Sequence, residues 1–176
     1  LKEEGKIRSI GASNVSPGDL EAYIATGALD AIQEEYSMVK RDIETTLLPL
    51  CRKSSVAVLS YSSLALGLLS GKVGPERVFA EDDQRHGNPR FSQSNRQKIA
   101  RLMGVLEPVA AGHRASVAQV VIAWTIAQPG ITFSLCGARD PVQAAENAAA
   151  ARLRLTDSEL ALISAGVAEH LVGLDS

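Results

Sequence analysis

Short apolar runs alternate with helical segments along this chain of 176 residues, and that alternation is typical of parallel α/β proteins. The sequence predicts four strands, at residues 7–12, 30–35, 56–61 and 131–136. It predicts helices at residues 16–26, 42–54, 99–109 and 140–151, and from residues 116 and 156 onward. The second strand is weak on propensity, and Pro49 lowers the expected regularity of the second helix. We therefore expect a parallel sheet covered by helices.

The most detailed local pattern lies near the start of the chain. Gly5 follows Leu-Lys-Glu-Glu as a glycine follows the end of a helix, and a short buried strand comes next. Ser16 and Pro17 then open a helix as N-cap and first helical residue. Ser13 and Asn14 thus lie where a strand meets a helix, the position at which parallel α/β proteins keep ligand-binding groups. An ordinary role as turn residues explains this pair equally well.

The run G-K-I-R-S-I-G-A-S-N-V-S that starts at Gly5 resembles a signature of the aldo-keto reductases, the NAD(P)H-dependent (β/α)8-barrel carbonyl reductases. The resemblance extends over the whole chain and is nearest to bacterial members with a long lid loop and to the β subunits of potassium channels. A complete (β/α)8 TIM barrel takes about 250 residues. We therefore expect residues 1–176 to be the C-terminal part of a single barrel, about its last four β/α units, and the missing N-terminal half to be its partner.

Charge and composition narrow the functional classes. The net charge of −2 and the pI near 5.9 argue against a nucleic-acid or acidic-membrane surface, and no apolar run reaches the roughly 20 residues of a membrane span. Cys51 and Cys136 are isolated, as expected of reduced, buried thiols. His86, His113 and His170 lie far apart without metal-ligand spacing, so no metal site is predicted. We expect a soluble, cytoplasmic protein.

The resemblance implies roles for polar residues at three strand ends. In the family, residues matching Ser13, Asn14 and Gln33 hydrogen-bond the nicotinamide carboxamide. The residue matching Tyr61 stacks on the nicotinamide, for which the flat, polarizable face of a tyrosine is suited. On the residues alone, a solvent-facing strand residue explains Gln33 equally well, and an inward-facing core tyrosine is the less favoured alternative for Tyr61.

The segment after the third strand resembles the family run that wraps the cofactor pyrophosphate with backbone N–H groups. The matching residues are Ser62, Leu64, Gly67, Leu68, Ser70, Gly71 and Lys72. The usual Y-S-P-L reads Tyr-Ser-Ser-Leu here, so Ser63 stands where a stiffening proline is expected. The irregular segment 63–95 resembles the family's lid loop through its N-P-R-F element at residues 88–91, and it would close over cofactor or substrate. A solvated loop is the alternative, and both can hold.

A second anion-binding pattern precedes the helix predicted from residue 140. Unsatisfied N–H groups and the helix dipole favour an anion there, and the guanidinium of Arg139 suits phosphate. Together with Gly137, Gln143, Glu146 and Asn147, Arg139 resembles the family motif G-x-R-x-x-x-Q-x-x-E-N. In the family the arginine meets the 2′-phosphate of NADP and the last three residues hold ribose and adenine. The arginine favours NADP(H) over NAD(H).

Carbonyl reduction needs a proton donor for the developing alkoxide. The family takes its aspartate, tyrosine, lysine and histidine from the first four strands of the barrel, so the resemblance places no catalytic residue on this chain; Tyr36 and Lys40 do not match those positions. The predicted function is hydride transfer from NADPH to an aldehyde or ketone, with this chain supplying the cofactor-binding half. The alternatives are an NADP-binding regulatory subunit like the channel β subunits, favoured slightly by the absence of proline from residues 131–137, and an inactive fragment.

Overall fold

The computed structural model describes residues 1–27 and 29–174. Four parallel strands are hydrogen-bonded in chain order: β1 (Gly11–Ser13), β2 (Ala31–Glu35), β3 (Ala57–Tyr61) and β4 (Phe133–Ser134). The α-helices of this part of the chain are α1 (Pro17–Thr26), α2 (Leu47–Ser54), α3 (Gln93–Gly112), α4 (Val117–Ala127), α5 (Pro141–Ala149) and α6 (Asp157–His170). The predicted parallel β/α order is confirmed.

The chain divides into two compact units. The first comprises residues 1–63 and 125–136, and it holds the four strands together with α1 and α2. The second comprises residues 64–124 and 137–176, and it holds α3, α5, α6 and most of α4. No helix within residues 1–27 and 29–174 is both long and apolar enough to span a membrane.

The register of the sheet decides which side chains share a face, because successive side chains of a strand point to opposite sides. Ser13 pairs with Gln33, Gln33 with Leu59 and Leu59 with Phe133. One face, which is partly exposed, therefore carries Ser13, Gln33, Glu35, Leu59, Tyr61 and Phe133. The opposite face carries Ile32, Glu34, Val58 and Ser60, which are all buried. The candidate site residues of the strands lie on the first face.

The first strand differs from the prediction in length and burial. We predicted a buried strand at residues 7–12, but β1 begins at Gly11, and the side chains of Ile7 and Ile10 are 36% and 43% exposed. Within the described residues β1 pairs with β2 on one side only, which leaves an edge strand incompletely covered. The backbone around Gly5 has the form of a helix C-terminus, as predicted: Gly5 has a left-handed φ of 70°, its amide donates to the Lys2 carbonyl (3.0 Å), and the Lys6 amide donates to the Leu1 carbonyl (3.0 Å).

The predicted helix at residues 42–54 is two elements. A 3₁₀ turn at Asp42–Glu44 precedes α2, which begins at Leu47. Glu44 is held from outside the turn, because its Oε1 accepts hydrogen bonds from the Tyr36 hydroxyl (2.5 Å) and from Nε of Arg41 (2.8 Å). Pro49 does not interrupt α2: it is the third helical residue, where a backbone N–H would lack an intrahelical partner anyway.

The ends of two later elements also differ from prediction. We predicted the last strand at residues 131–136, but β4 has only two ladder residues, although the amides of Thr132 and Leu135 still donate to carbonyls of β3 (2.9 and 2.7 Å). The helix predicted over residues 140–151 ends as α5 at Ala149 and tightens into a 3₁₀ turn at Ala150–Arg152. Both differences concern ends, where neighbouring contacts rather than local pattern decide the boundary.

Helix starts follow the predicted capping pattern closely. Ser16 and Asp19 form a capping box at the start of α1, and Thr156 and Glu159 form one at the start of α6. At the start of α4, the Ser116 amide donates to Oε1 of Gln119 (3.0 Å), and the Gln119 amide donates to the Ser116 hydroxyl (3.3 Å).

Residues 63–92 are irregular, as predicted, but the predicted boundary at residue 95 and the helix start predicted at residue 99 are wrong. The helix α3 already begins at Gln93, because the Ser92 hydroxyl caps it by accepting the Asn95 amide (3.2 Å). The irregular residues have their own small core. Phe79 and Phe91 meet edge to face at 5.4 Å, and the guanidinium of Arg85 lies 4.6 Å from the Phe79 ring centre. Arg96 reaches back from α3 and donates to the carbonyls of Arg77 (2.6 Å) and Gly74 (3.2 Å). These contacts surround a cavity of about 420 Å³. The segment is thus held together by its own aromatic side chains and by Arg96 of α3.

Candidate cofactor site

Three of the predicted nicotinamide-binding residues form one hydrogen-bonded group in the first unit. The Tyr61 hydroxyl donates to Oδ1 of Asn14 (2.7 Å), and Nδ2 of Asn14 donates to the Ser13 hydroxyl (3.2 Å). The Ser13 hydroxyl donates to the main-chain carbonyl of Gln33 (3.0 Å). The carboxyl ends of β1, β2 and β3 therefore carry one continuous polar cluster, as the strand-end rule predicts.

The backbone at Asn14 explains why the cluster lies at this point. Asn14 has a φ of 55°, in the left-handed region that asparagine tolerates better than most residues. Its amide still donates to the Gln33 carbonyl of β2 (3.1 Å), although β1 ends one residue earlier, at Ser13. Ser62, which follows β3, also has a left-handed φ of 57°.

Gln33 and Tyr61 are available to a ligand. Both side chains are half-buried on the same face of the sheet. The side-chain amide of Gln33 makes no hydrogen bond within residues 1–27 and 29–174. An amide with free donors and acceptors beside an accessible aromatic ring fits a planar ligand that carries a carboxamide.

Glu34 supports the cluster from the buried face, and the sequence analysis missed it. Its side chain is only 5% exposed, and its Oε1 accepts a hydrogen bond from the Val15 amide (2.8 Å). Burial raises the pKa of Glu34, while the amides of Val15 and Asn14 oppose that rise. Both faces of a parallel sheet are normally apolar, so an acidic residue inside a predicted strand is the sequence feature that could have identified Glu34.

In the second unit, residues 64–72 fold into a compact turn with repeated left-handed backbone. Ala65, Leu66 and Gly67 have φ values of 48°, 55° and 88° in succession. The Ser70 hydroxyl donates to the Gly67 carbonyl (2.6 Å), and the Lys72 amide donates to the Ser70 hydroxyl (3.3 Å). The amides of Gly67, Leu68, Leu69 and Ser70 donate to main-chain carbonyls within the turn, so only part of its backbone remains for an anion.

Gly71 and Lys72 complete this turn. Gly71 has a φ of 76°, and a Cβ there would lie 3.3 Å from Cβ of Val117, so both backbone and space require glycine. The exposed ammonium of Lys72 forms no ion pair with the residues that the structure describes. The turn thus offers one available cation beside a backbone whose amides are largely engaged within the turn.

The turn before α5 corrects one expectation. We expected free N–H groups at the helix start to attract an anion, but Oδ1 of Asp140 accepts the Gln143 amide (2.7 Å), so a carboxylate already caps the helix. The exposed guanidinium of Arg139 has no partner in the described part of the chain, and any anion bound here would depend mainly on it.

The motif side chains of α5 hold that turn. Oε1 of Gln143 accepts the Arg139 amide (3.1 Å), and Nδ2 of Asn147 donates to the Gly137 carbonyl (3.1 Å). The predicted residues Gly137, Arg139, Gln143 and Asn147 are therefore joined locally, with the Arg139 backbone fixed and its side chain free to reach a ligand.

Gln119 connects α4 to α5, and the pattern of the sequence does not reveal this contact. Besides accepting from Ser116, it donates through Nε2 to the carbonyl of Glu146 (3.0 Å). Val117, in the same first turn of α4, occupies the space that a Cβ on Gly71 would enter. The first turn of α4 thus lies next to both the turn at residues 64–72 and the helix α5.

Ser63 and the two cysteines have structural surroundings. Ser63, at the position of the expected proline, is buried and shares hydrogen bonds with the hydroxyls of Ser134 (2.7 Å) and Ser60 (3.4 Å), which join the end of β3 to β4. Burial and the nearby charge of Glu34 raise the pKa of the Cys51 thiol to about 11. Cys136 is half-buried rather than buried, and burial raises its pKa as well. Neither thiol is activated as a nucleophile.

Comparison with known proteins decides the family. The model of the Aldo/keto reductase family matches residues 1–167. The chain belongs to the aldo-keto reductase family. The NADH-specific methylglyoxal reductase of Escherichia coli (strain K12) is 36% identical to this aldo-keto reductase over 163 residues, which are 93% of the chain and 49% of that protein. The aldo-keto reductase yakc of Schizosaccharomyces pombe, whose name specifies NADP(+), is 29% identical over 159 residues, 89% of the chain and 47% of that protein.

The solved structures agree on the fold. The glycerol dehydrogenase AKR11B4 from Gluconobacter oxydans superposes with a TM-score of 0.89 and 32% identity over 97% of this chain and 52% of that one. The parallel β/α units of this aldo-keto reductase are therefore part of a (β/α)8 barrel, and the chain spans about half the length of the relatives it matches. The family comprises oxidoreductases that use a nicotinamide cofactor.

Proposed function

We propose that the intact protein is an NADP(H)-dependent reductase that transfers a hydride from NADPH to an aldehyde or ketone, and that this chain supplies its cofactor-binding half. The observation that carries the proposal is the hydrogen-bonded group of Ser13, Asn14 and Tyr61 at the ends of β1 and β3. Gln33 stands beside it with an amide that is unpartnered within the described residues. This combination suits the nicotinamide end of the cofactor.

At the nicotinamide end, Ser13, Asn14 and Gln33 would orient the carboxamide by hydrogen bonds. The ring of Tyr61 would cover one face of the nicotinamide, because its hydroxyl is tied to Asn14 and the ring is held in place. When bound, NADPH would supply the hydride from its uncovered face. The proton donor would come from outside this chain.

The pyrophosphate and its surroundings fit the turn after β3. The backbone of that turn and the ammonium of Lys72 would bind the negative charge. The residues proposed for this contact are Ser62, Leu64, Gly67, Leu68, Ser70, Gly71 and Lys72. Segment 63–95 would act as the lid over cofactor or substrate.

At the adenosine end, Arg139 would bind the 2′-phosphate of NADP, with its backbone held by Gln143. Gly137, Gln143, Glu146 and Asn147 would line the ribose and adenine. NADH is the second candidate, since the relative that is 36% identical is NADH-specific. The capping carboxylate of Asp140 also places a negative charge one residue from Arg139, which would disfavour a 2′-phosphate.

The test measures the affinity of the intact protein for NADPH and NADH by fluorescence titration, followed by NADPH consumption with a panel of aldehydes and ketones. We expect NADPH to bind at least about tenfold more tightly, and Arg139→Ala to remove that preference, since one charge-assisted contact has about this value. Arg101→Ala, an exposed arginine of α3, is the matched control and should change nothing.

The outcomes separate the alternatives. A preference for NADH that Arg139→Ala leaves unchanged would assign NADH as the cofactor. Tight binding of either cofactor without turnover would favour a regulatory subunit. If the intact protein binds neither NADPH nor NADH, the proposal is refuted.

A further inference from the structure

Glu34 is a buried acid without a charged partner. Among the described residues it has the one carboxylate in the buried interior, and no lysine, arginine or histidine of that part of the chain pairs with it. It occupies the helix-facing side of β2, beside the apolar Ile32 and within electrostatic reach of Cys51 on α2. A well-packed apolar side chain at such a position generally stabilises a protein more than an isolated carboxylate does. Packing alone therefore does not account for an acid here.

The hydrogen bond that Glu34 accepts lies next to the group formed by Ser13, Asn14 and Tyr61. Its Oε1 accepts the amide of Val15 at 2.8 Å, and Val15 directly follows Asn14. Asn14 itself is held by two further hydrogen bonds. The Tyr61 hydroxyl donates to its side chain, and its own amide donates to the Gln33 carbonyl. The carboxylate fixes the chain directly after Asn14, whose φ of 55° lies in the left-handed region.

We propose that Glu34 is a positioning residue for the nicotinamide: through the Val15 amide it sets the orientation of Ser13 and Asn14 toward the carboxamide. The inference rests on the proposed function. It concerns a residue on the face of the sheet opposite to the cofactor, which acts only through the main chain. Its effect should therefore be confined to the nicotinamide end, while the adenosine end stays unchanged.

The experiment compares Glu34→Met and Glu34→Gln in the intact protein with two probes, NADPH and 2′,5′-ADP, which lacks the nicotinamide; NADH and ADP replace them if the wild type prefers NADH. Methionine keeps the volume but cannot accept the Val15 hydrogen bond, whereas glutamine keeps an oxygen acceptor. Ile32→Val, on the same strand and the same buried face, is the packing control.

Glu34→Met should weaken NADPH binding about tenfold, as expected for losing a hydrogen bond to a charged group, and change 2′,5′-ADP binding by less than about twofold. Its thermal stability should equal or exceed that of the wild type, because an isolated buried charge has been removed. Glu34→Gln should restore most of the NADPH affinity. Ile32→Val should leave the ratio of the two affinities unchanged.

Equal weakening of both probes by Glu34→Met would overturn the inference, since it would indicate a general loss of structure. Unchanged affinity for NADPH would overturn it too. If the wild type binds neither probe, the proposed function fails and the inference fails with it, and that result is recognised before any variant is compared.

Discussion

At the scale of single residues, the site is held by contacts that sequence neighbours do not reveal. Tyr61 and Asn14 are 47 positions apart, and their hydrogen bond depends on the parallel pairing of β1, β2 and β3. The clustering of Ser13, Asn14 and Tyr61 was predictable, because the rule for strand ends and the family motif point to the same positions. Glu34 and Gln119 were not, since their partners are main-chain groups brought close only by folding.

Removing one hydroxyl tests the cluster. Tyr61→Phe keeps the ring but loses the hydrogen bond to Asn14 (2.7 Å). We expect NADPH affinity to fall about fivefold, the value of one neutral hydrogen bond, with thermal stability nearly unchanged. Isothermal titration calorimetry measures the affinity, and Tyr23→Phe on the exposed side of α1 is the control. An unaltered affinity for Tyr61→Phe would show that the hydroxyl has no role in the site.

Two glycines allow a matched test of backbone strain. Gly71→Ala should destabilise the protein by at least about 1–2 kcal/mol, because its φ of 76° is left-handed and its Cβ would press on Val117. Gly104→Ala lies inside α3 with open space around its Cβ and should stabilise by about 0.5–1 kcal/mol. Urea unfolding measures both changes. Opposite signs are the expected result, and the same sign for both would contradict the strained turn.

At the scale of elements, the order of strands and helices was predictable and several boundaries were not. The capping boxes of α1 and α6 follow local rules, so sequence alone located both helix starts. The early end of the strand at β4 and the break before α2 depend on pairing with β3 and on the contacts of Glu44, which lie outside the local pattern. Length and burial of an edge strand likewise depend on its neighbours.

The capping box of α6 makes stability depend on pH. The backbone amide and then the hydroxyl of Thr156 lower the pKa of Glu159, and His113 at the end of α3 adds a smaller effect through a 2.8 Å contact. A lowered pKa in the folded state contributes stability above the unfolded value, near 4.5, and that contribution disappears as pH falls through the folded value.

The stability difference between wild type and Glu159→Gln should therefore shrink as the pH falls from about 5.5 to below about 4.5. Urea unfolding at a series of pH values measures it. Glu107→Gln, an exposed carboxylate of α3, is the control and should show no such trend. A difference that grows on acidification would contradict the sign of the shift.

At the scale of the whole molecule, the exposed face of the sheet is the main feature to test. Phe133 is 58% exposed here, on the face that carries Ser13, Gln33 and Tyr61. In a (β/α)8 barrel the inward faces of all strands pack together. We expect Phe133→Ala to destabilise the intact protein by about 3 kcal/mol, as a buried phenylalanine would, rather than by the few tenths typical of a surface change.

Thermal unfolding of the intact protein measures the effect of Phe133→Ala. The mass of the purified protein is measured first. A mass near 18.6 kDa would correspond to this chain alone, in which case Phe133→Ala should be almost neutral. A near-neutral result in a protein about twice as long, the size of a complete barrel, would show that the face is not covered as the family fold requires.

The small aromatic core of segment 63–95 has a consequence for the entropy of ligand binding. A loop that is disordered beforehand loses about 1–2 kcal/mol of backbone freedom per residue when it closes on a ligand. Part of this backbone freedom is already lost within the segment, because Phe79 packs against Phe91 and Arg96 donates to a carbonyl of the segment. Closure would then be a displacement of a preformed piece, and most of the contact energy between segment and ligand would remain available as affinity.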